Sequence, residues 1–440
     1  MKMIKKVIVV LLLVMPCLLQ AREVYDLKWC IELGLEQNYG LRIARNEQVI
    51  SDNNQTIGNA GYLPTLNLDA GYSGTVNDRE EKSKQGVTTK NNAVSDQALN
   101  AGINLNWTIF DGFGIQVNHS RLKELQQMGE LNTRVAVENF ISDLSVEYYN
   151  YVQQNIRLNN LKSAVKLSKE RLRIVEARYN IGSMSRLDLQ QAKVDFNADS
   201  SRLIKQYEIL FVSRTKLNQL MAVEDVEQPL LVTDSVIKFN AFLQKEDIRE
   251  KMYVANPYLH LSKKEITLGM LDLKQVQSQY YPYLRLNAGY GYTRNMYELG
   301  NNDWQSRLGL NYGVTLGFNL FDGFNQNRRR KNTKIQIQNK ELQFQQLQQL
   351  LETDLSNAWM AYTNNLELTN LEKENLQTAR ENYEIAIERY KLGDLSGIEL
   401  REAQNSLLEA EERFVQSQYS IKLCEISLLQ ISGQMGVYLE

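Results

Sequence analysis

The chain has 440 residues, of which 50 are Lys or Arg and 52 are Asp or Glu, so its formal net charge is −2. This balance argues against a nucleic-acid-binding surface, which needs an excess of basic residues. The five prolines leave two long proline-free tracts, one between Pro64 and Pro229 and one after Pro282. Such tracts permit very long helices without kinks.

Residues 1–21 have the composition of a secretory signal peptide. The first six residues include three lysines, Val7–Leu19 is apolar, and cleavage is expected after Ala21. Cys17 would be the attachment site of a lipoprotein, but Pro16 stands where a small residue is needed, which disfavours lipidation.

The two cysteines of the mature chain, Cys30 and Cys424, have two interpretations. They could pair as a disulfide in an oxidising compartment, or they could be two small residues on helix faces. After the signal peptide, no apolar run approaches the ~20 residues that a membrane helix needs. If the mature chain crosses a membrane, it therefore has to do so as a closed β-barrel.

Residues 27–59 are predicted as helix, and Pro64 opens the first of four stretches in which apolar residues alternate with small or polar ones. Residues 74–97, which follow the first stretch, are polar and are predicted as a solvated loop. The apolar members of the four stretches are Leu66, Leu68, Ala70 and Tyr72; Ile103, Leu105, Trp107 and Ile109; Leu284, Leu286, Ala288 and Tyr290; and Leu310, Tyr312, Val314, Leu316 and Phe318.

One apolar face and one small or polar face are typical of transmembrane β-strands. Aromatic residues cluster at one end of these stretches, as in an interfacial girdle: Trp107, Phe110, Tyr280, Tyr281, Tyr283 and Phe321. The alternative is a soluble sheet whose apolar face covers a core. The neighbouring segments are long, polar-rich helices that offer no such core, so the barrel is favoured.

The same four residues follow the second and the fourth stretch, as Phe110-Asp111-Gly112-Phe113 and Phe321-Asp322-Gly323-Phe324. The hydrophobic period changes there from two to between three and four, which indicates a strand that leads into a helix. Asp111 and Asp322 suit a helix start, because a carboxylate accepts hydrogen bonds from free backbone N–H groups. Gly112 and Gly323 allow the sharp turn.

These motifs belong to a duplication of the whole chain. Pro64 aligns with Pro282 at an offset of 218, whereas Phe110 aligns with Phe321 at an offset of 211 that persists to the end of the return helices. The predicted organisation is a signal peptide 1–21, a first repeat 22–222, a connector 223–247, a second repeat 248–433 and a tail 434–440. The β-hairpins are 61–110 and 280–321, the long helices 112–180 and 323–391, the tips 181–186 and 392–397, and the return helices 187–221 and 398–432.

The long helices carry the 3-4 apolar spacing of a coiled coil, for example at Leu158, Leu161 and Val165. Each breaks at a glycine followed by a serine, Gly182 and Ser185 in one half and Gly393 and Ser396 in the other. Glycine ends a helix readily and serine caps the next one, so each half is predicted to be a strand hairpin followed by a long helical hairpin.

In these features the sequence resembles the TolC family of outer-membrane efflux and secretion proteins, over about residues 25–433. The duplicated Phe-Asp-Gly turn, the proline-led strands and the two tip motifs, Arg178–Asp188 and Arg389–Glu399, carry the resemblance. It implies an α/β membrane protein of long antiparallel coiled-coil hairpins, which form an α-barrel. Each protomer would add four transmembrane strands to a shared trimeric 12-stranded β-barrel, in the outer membrane and extending into the periplasm.

The resemblance also implies functional sites. The tips would dock a periplasmic membrane-fusion adaptor protein, through Tyr179, Gly182, Ser185, Tyr390, Gly393 and Ser396. The alternative is that these glycines and serines only end and cap helices. Glu399, Glu402 and Asp188 occupy positions where the family carries an acidic ring at the periplasmic constriction, although Gln191 replaces one acid in the first half. The alternative for these acids is a solvated helix face.

The run Arg328-Arg329-Arg330-Lys331 at the start of the second long helix also has two interpretations. It could contact anionic lipid headgroups, or it could be a solvated charge run. His119 and His260 lack cysteine or carboxylate partners at ligand spacing, so no metal, cofactor or catalytic activity is expected.

The resemblance therefore implies a homotrimeric outer-membrane channel of a tripartite efflux system of the RND type, which would be coupled through its adaptor to an inner-membrane RND or ABC pump. The channel would be a passive exit duct for small molecules, with outer-membrane lipid around its barrel. One alternative is the outer-membrane component of type I protein secretion. Another is a periplasmic coiled-coil scaffold or adaptor without a pore.

Overall fold

Long α-helices and a small antiparallel sheet make up the protein in the computed structural model, which describes residues 24–300 and 302–439. The predicted signal peptide, with Cys17, lies outside the described residues. The described chain divides into two compact units. The helical unit contains the chain up to Asn46, Leu131–His260 and the chain from Gln346 onward, and the sheet unit contains Glu47–Glu130 and Leu261–Gln345.

The elements follow one another in the same order in both halves of the chain. The strands are β1 Val24–Tyr25, β2 Thr65–Lys82, β3 Thr88–Phe110, β4 Leu231–Val232, β5 Tyr283–Tyr297 and β6 Trp304–Gly317. The helices are α1 Leu27–Gln37, α2 Tyr39–Asn54, α3 Ile57–Ala60, α4 Gly114–Asn180, α5 Arg186–Leu220, α6 Lys245–Ala255, α7 Pro257–Ser278, α8 Asn325–Leu392 and α9 Gly397–Ile431, and a 3₁₀ helix covers Met435–Leu439.

The sheet of the sheet unit has the strand order β2-β3-β5-β6, and all its pairs are antiparallel. Its register aligns Leu68, Ile103, Tyr290 and Leu310 in one row across the four strands. All four side chains of this row are exposed, Leu68 at 77% and Leu310 at 68%. The apolar face therefore covers no core within the protomer. The predicted combination of long helical hairpins with four antiparallel strands is confirmed.

The prediction of a solvated loop over residues 74–97 is wrong. β2 continues to Lys82 and β3 begins at Thr88, so the two strands pair almost to the turn, with one irregularity between Asn77 and Arg79. Glu80 lies opposite Lys90 and forms an ion pair of 3.1 Å with it. Alternating hydrophobicity reports the burial of one face. Most side chains of this hairpin are exposed, so the alternation is missing although the backbones pair, and Val94, at 3% exposure, is an exception.

Both strand-to-helix turns have the geometry that the sequence predicts. The Asp111 carboxylate accepts a hydrogen bond from the Ile115 N–H at 3.0 Å, and the Asp322 carboxylate accepts one from the Gln326 N–H at 2.7 Å. Gly112 and Gly323 have φ of +73° and +69°. The phenylalanine that follows each glycine is also left-handed, which no sequence pattern indicated.

Residues 27–59 do not form one helix, because Asn38 interrupts them. Its side chain accepts from the Leu41 N–H at 3.1 Å and donates to the Leu220 carbonyl at 2.9 Å. Asn256, which aligns with Asn38, accepts from the Leu259 N–H at 3.2 Å and donates to the Ile431 carbonyl at 2.9 Å. Each asparagine therefore caps a helix and ties it to the last turn of a return helix.

The helical unit has its main core where α1, α4 and α5 meet the connector and the C-terminal 3₁₀ helix, around residues such as Ile31, Tyr148, Leu217, Ile237 and Met435. β1 and β4 form a short parallel pair beside this core.

Cys30 is fully buried and, like Cys424, is a free thiol. Burial raises the pKa of the Cys30 thiol to about 12. Within the described part of the chain, no helix combines the length and the apolar character that a membrane-crossing helix requires.

The two turn glycines should respond differently to substitution. A β-carbon at position 112 would lie 2.2 Å from the Ser278 carbonyl oxygen, whereas one at position 323 would have Asn325 Nδ2 at 3.6 Å as its nearest neighbour. We expect Gly323→Ala to lower the free energy of unfolding by about 1 kcal/mol, because alanine is strained in the left-handed conformation. Gly112→Ala should cost at least about 3 kcal/mol, because the packed backbone must also move. Unfolding midpoints in detergent measure both, and equal losses would contradict the assignment of a close approach at Gly112.

Candidate functional site at the helical tips

The two breaks in the helical hairpins have closely similar backbones. Gly182 has φ of +80° and its N–H bonds to the Tyr179 carbonyl at 2.9 Å. Gly393 has φ of +91° and its N–H bonds to the Tyr390 carbonyl at 3.2 Å. Apart from the adjoining residues, no atom of the described chain lies within 4 Å of a β-carbon built on either glycine. Both tips therefore present open backbone that another molecule can approach closely.

Capping boxes start the return helices on the far side of both tips. The Ser185 hydroxyl accepts from the Asp188 N–H at 3.2 Å, and the Asp188 carboxylate accepts from the Ser185 N–H at 3.2 Å. Ser396 and Glu399 repeat this arrangement at 3.3 and 2.9 Å. The helix-capping interpretation of these serines is therefore confirmed, and it applies to the two acids as well.

Two of the acids predicted for a constriction thus have a local partner, and the third does not. Hydrogen bonds from the Ser396 N–H and hydroxyl hold the pKa of Glu399 below its usual range. Glu402, one turn further along α9, is exposed and has no hydrogen bond or ion pair with any described residue. Its charge is available to solvent and ions.

The two tip tyrosines differ although their sequences match. Tyr179 is 38% exposed, whereas Tyr390 is 1% exposed and packs with Ala386, Leu400 and Ala403. Its hydroxyl has no hydrogen-bond partner among the described residues, and burial raises its pKa. Within the protomer Tyr390 is therefore a packing residue, and Tyr179 is the tyrosine that a partner can reach.

The structure brings the two tips together through contacts that the sequence pattern did not indicate. The Arg178 guanidinium lies 5.4 Å from the centre of the Tyr390 ring, and it donates to the Lys391 carbonyl at 3.1 Å. Met184, in the first tip, packs against the apolar clusters of both hairpins. The two tips therefore form one surface rather than two separate ones.

Solved structures share this architecture at low sequence identity. The outer membrane channel CmeC of Campylobacter jejuni matches with a TM-score of 0.75 at 18% identity, over 93% of this chain and 85% of that one. The outer membrane channel MtrE of Neisseria gonorrhoeae, in its open state, matches with a TM-score of 0.72 at 16% identity, over 92% and 88%. VceC of Vibrio cholerae matches with a TM-score of 0.70 at 15% identity, over 92% and 96%.

The family model described as outer membrane efflux protein matches residues 30–222 and 256–434, which is most of the chain. The chain belongs to the outer membrane efflux protein family. It is therefore an outer-membrane protein, of a family of efflux proteins and not of enzymes. No curated protein matches the sequence significantly. No group of His, Cys, Asp and Glu among the described residues could hold a metal ion.

A buried cluster of charges links the two helical hairpins of this efflux protein. Asp199 is 1% exposed and accepts two hydrogen bonds from the Arg401 guanidinium, at 2.6 and 2.8 Å. Arg171 pairs with Asp195, and Ser168 donates to Asp199. These residues come from α4, α5 and α9, so the cluster fixes the first hairpin against the return helix of the second.

The sequence pattern missed this cluster because it is polar. The large apolar residues Phe196, Leu203 and Leu210 of α5 are only half-buried. Asp195, Asp199, Gln206 and Ser213 on the same helix are fully buried. Burial raises the pKa of Asp199, but the Arg401 and Ser168 hydrogen bonds and the nearby arginines outweigh it, so the pKa lies below its usual value.

We expect Arg401→Leu to destabilise the protein by about 3–5 kcal/mol at neutral pH, because it leaves a carboxylate buried without its partner. The native pair stabilises the fold above the unfolded pKa of Asp, about 4, and this contribution is lost as the pH falls further. The loss of stability in the variant, relative to the wild type, should therefore become smaller at acidic pH. Unfolding midpoints across pH measure it.

Arg202→Leu is the matched control, because Arg202 is 60% exposed and lies 3.8 Å from the same carboxylate. Its loss should cost less than about 1 kcal/mol. Adding Asp199→Asn to Arg401→Leu should recover part of the stability, since it removes the stranded charge. A deficit that does not depend on pH would show that Arg401 acts through packing and not through charge.

Proposed function

We propose that the protein is the outer-membrane duct of a tripartite efflux system, and that it works as a homotrimer. Three protomers would pool their strands into one twelve-stranded barrel. The helical tips would dock a periplasmic adaptor protein, which links the duct to an inner-membrane pump of the RND type. The duct itself is passive, and small molecules would pass through it to the outside.

The main support for this proposal is the difference between the two faces of the sheet. One face exposes apolar rows such as Leu68, Ile103, Tyr290 and Leu310. The row next to it on the other face is Asn67, Asn104, Gly289 and Asn311. A sheet that is apolar on one side and polar on the other suits lipid outside and water inside. A periplasmic scaffold without a pore would have no use for the exposed apolar face.

The free edges of the sheet argue for several copies. β2 and β6 each have a partner on one side only, so their outer N–H and C=O groups are unpaired. In hydrocarbon such an edge is too costly to persist. Pairing β6 of one copy with β2 of the next removes every edge when the ring closes. Eight strands leave an interior that side chains nearly fill, so three copies suit a water-filled duct better than two.

Exposed apolar residues on the helices support the same assembly. α8 exposes Leu371, Ile385 and Leu392, which are spaced at multiples of seven residues. α2 exposes Tyr39, Ile43 and Ile50 at spacings of four and seven. Both spacings repeat on one side of a helix. Stripes of this kind are typical of helices that pack on a partner, and the protomer leaves them uncovered.

Planar bilayer recording tests the channel. We expect the purified trimer to conduct ions with a preference for cations, because carboxylates in a narrow aqueous passage attract them. Glu399→Gln with Glu402→Gln should move the reversal potential toward zero in a salt gradient. Glu170→Gln with Glu176→Gln removes the same charge from α4 and should leave it unchanged. A monomer that is soluble without detergent and does not conduct would overturn the proposal itself.

Adaptor docking is tested at the tip glycines. Gly182→Trp with Gly393→Trp should abolish the efflux of a fluorescent substrate and leave the trimer intact, since both sites are open within the protomer. Gly182→Ala with Gly393→Ala is the matched control, because alanine has the same left-handed strain without the bulk. We expect it to retain most efflux. If the tryptophan variant exports normally, the tips are not the docking surface.

A further inference from the structure

The second strand-to-helix turn has an apolar, uncovered surface. Leu320, Phe321 and Phe324 are 87%, 71% and 72% exposed. The Phe321 and Phe324 rings contact each other edge to face, with 5.3 Å between their centres. In transmembrane β-barrels, girdles of aromatic residues flank the lipid-facing band at the boundary with water.

The first two turns of α8 follow directly and carry a run of positive charge. Arg328, Arg329, Arg330 and Lys331 are all exposed. Arg328 and Arg329 bond only to the neutral side chains of Asn325 and Gln279, at 3.2 and 3.0 Å. None of the four forms an ion pair with a described residue. Cations at the N-terminus of a helix are also unfavourable, because that end carries the positive pole of the helix dipole.

The first half of the chain has no such run. The positions 211 residues earlier hold Val117, Asn118, His119 and Ser120. There Asn118 is turned toward α3 and donates to the Asn59 and Ala60 carbonyls. The positive run is therefore not needed to build the turn. It is a feature of the second half alone, at a place where it costs stability.

In the proposed ring of copies, the neighbouring segment would offer no acidic residue at the level of this run. Within the sheet unit, side-chain hydrogen bonds join α2 to α4, α4 to α7 and the end of α7 to α8, so α8 and the α2–α3 segment are the two outer members of this row. In a ring of copies, α8 would meet the α2–α3 segment of its neighbour. Residues 53–64, at the sheet end of that segment, contain no charged residue, and the preceding acid, Asp52, accepts a hydrogen bond from Gln126.

We propose that Arg328, Arg329, Arg330 and Lys331 bind the headgroups of anionic phospholipids in the leaflet that faces the periplasm. The inference rests on the proposed insertion of the sheet in the membrane. The apolar residues from Leu320 to Phe324 lie at the hydrocarbon boundary, and the cations follow within one to two helical turns, at headgroup level. Arginine suits this role because its planar guanidinium binds phosphate oxygens in pairs.

Lipid retention tests the proposal. Wild-type trimer would be equilibrated in mixed micelles of phosphatidylcholine with a minority of phosphatidylglycerol, and the retained lipids counted by mass spectrometry. We expect clear enrichment of phosphatidylglycerol that weakens at high salt. Replacing Arg328, Arg329, Arg330 and Lys331 together by Gln should lower this preference about tenfold. Arg328→Lys with Arg329→Lys and Arg330→Lys keeps the charge and should retain most of it.

The matched control removes four cations from the helical hairpin, by replacing Lys162, Lys166, Lys169 and Lys193 with Gln, and should leave the preference unchanged. Equal retention of phosphatidylglycerol by the wild type and the Arg328–Lys331 variant would overturn the proposal. The proposal would also be overturned if that variant lost its trimeric state in pure phosphatidylcholine, because the cations would then serve contacts between copies. In phosphatidylcholine bilayers the Arg328–Lys331 variant should still conduct ions. Failure of the lipid proposal can therefore be distinguished from failure of the channel proposal.

Discussion

The constraint on which the structure depends is the pairing of backbone N–H and C=O groups in a sheet that exposes an apolar face. Four strands cannot satisfy their own edges, and in lipid no water is present to do so. The protomer is therefore incomplete as a membrane structure. Its free β2 and β6 edges, and the uncovered apolar stripes on α2 and α8, are the surfaces that further copies would complete.

Equivalent positions in the two halves carry the same residues and form the same local hydrogen bonds. Asp111 and Asp322 accept hydrogen bonds from the first turn of a long helix, and Asn38 and Asn256 tie a helix start to a return helix. The halves diverge where their surroundings differ. Gly112 lies against the Ser278 backbone, whereas Gly323 is open. Divergence between equivalent positions is thus a guide to which surfaces are buried within the protomer and which face outward.

The sequence predicted the elements well where a period or a cap determines them. The alternation of Leu66, Leu68 and Tyr72 indicates a strand, and the serine and glycine at each tip indicate a helix break. Both signals depend on residues that are close together in the sequence. Prediction from the sequence failed where the structure depends on a contact between residues that are far apart in the chain. Nothing near Tyr390 shows that its ring is buried while that of Tyr179 is exposed, because this depends on Arg178 and Met184 of the other tip. The paired residues 74–82 and 88–97 were missed because most of their side chains are exposed, so no apolar face alternates along them.

The charged cluster of Asp199 and Arg401 shows why a coiled coil of this length uses polar residues inside. Apolar seams tolerate a slip of one heptad, because one leucine layer resembles the next. The bidentate pair of Arg401 with the buried Asp199, with Ser168 and Arg171 around it, is satisfied in one alignment only. Any slip would leave a buried carboxylate unpaired, which costs several kcal/mol. The cluster therefore fixes the register of the two hairpins, and through it the single surface that Arg178 and Tyr390 form at the tips.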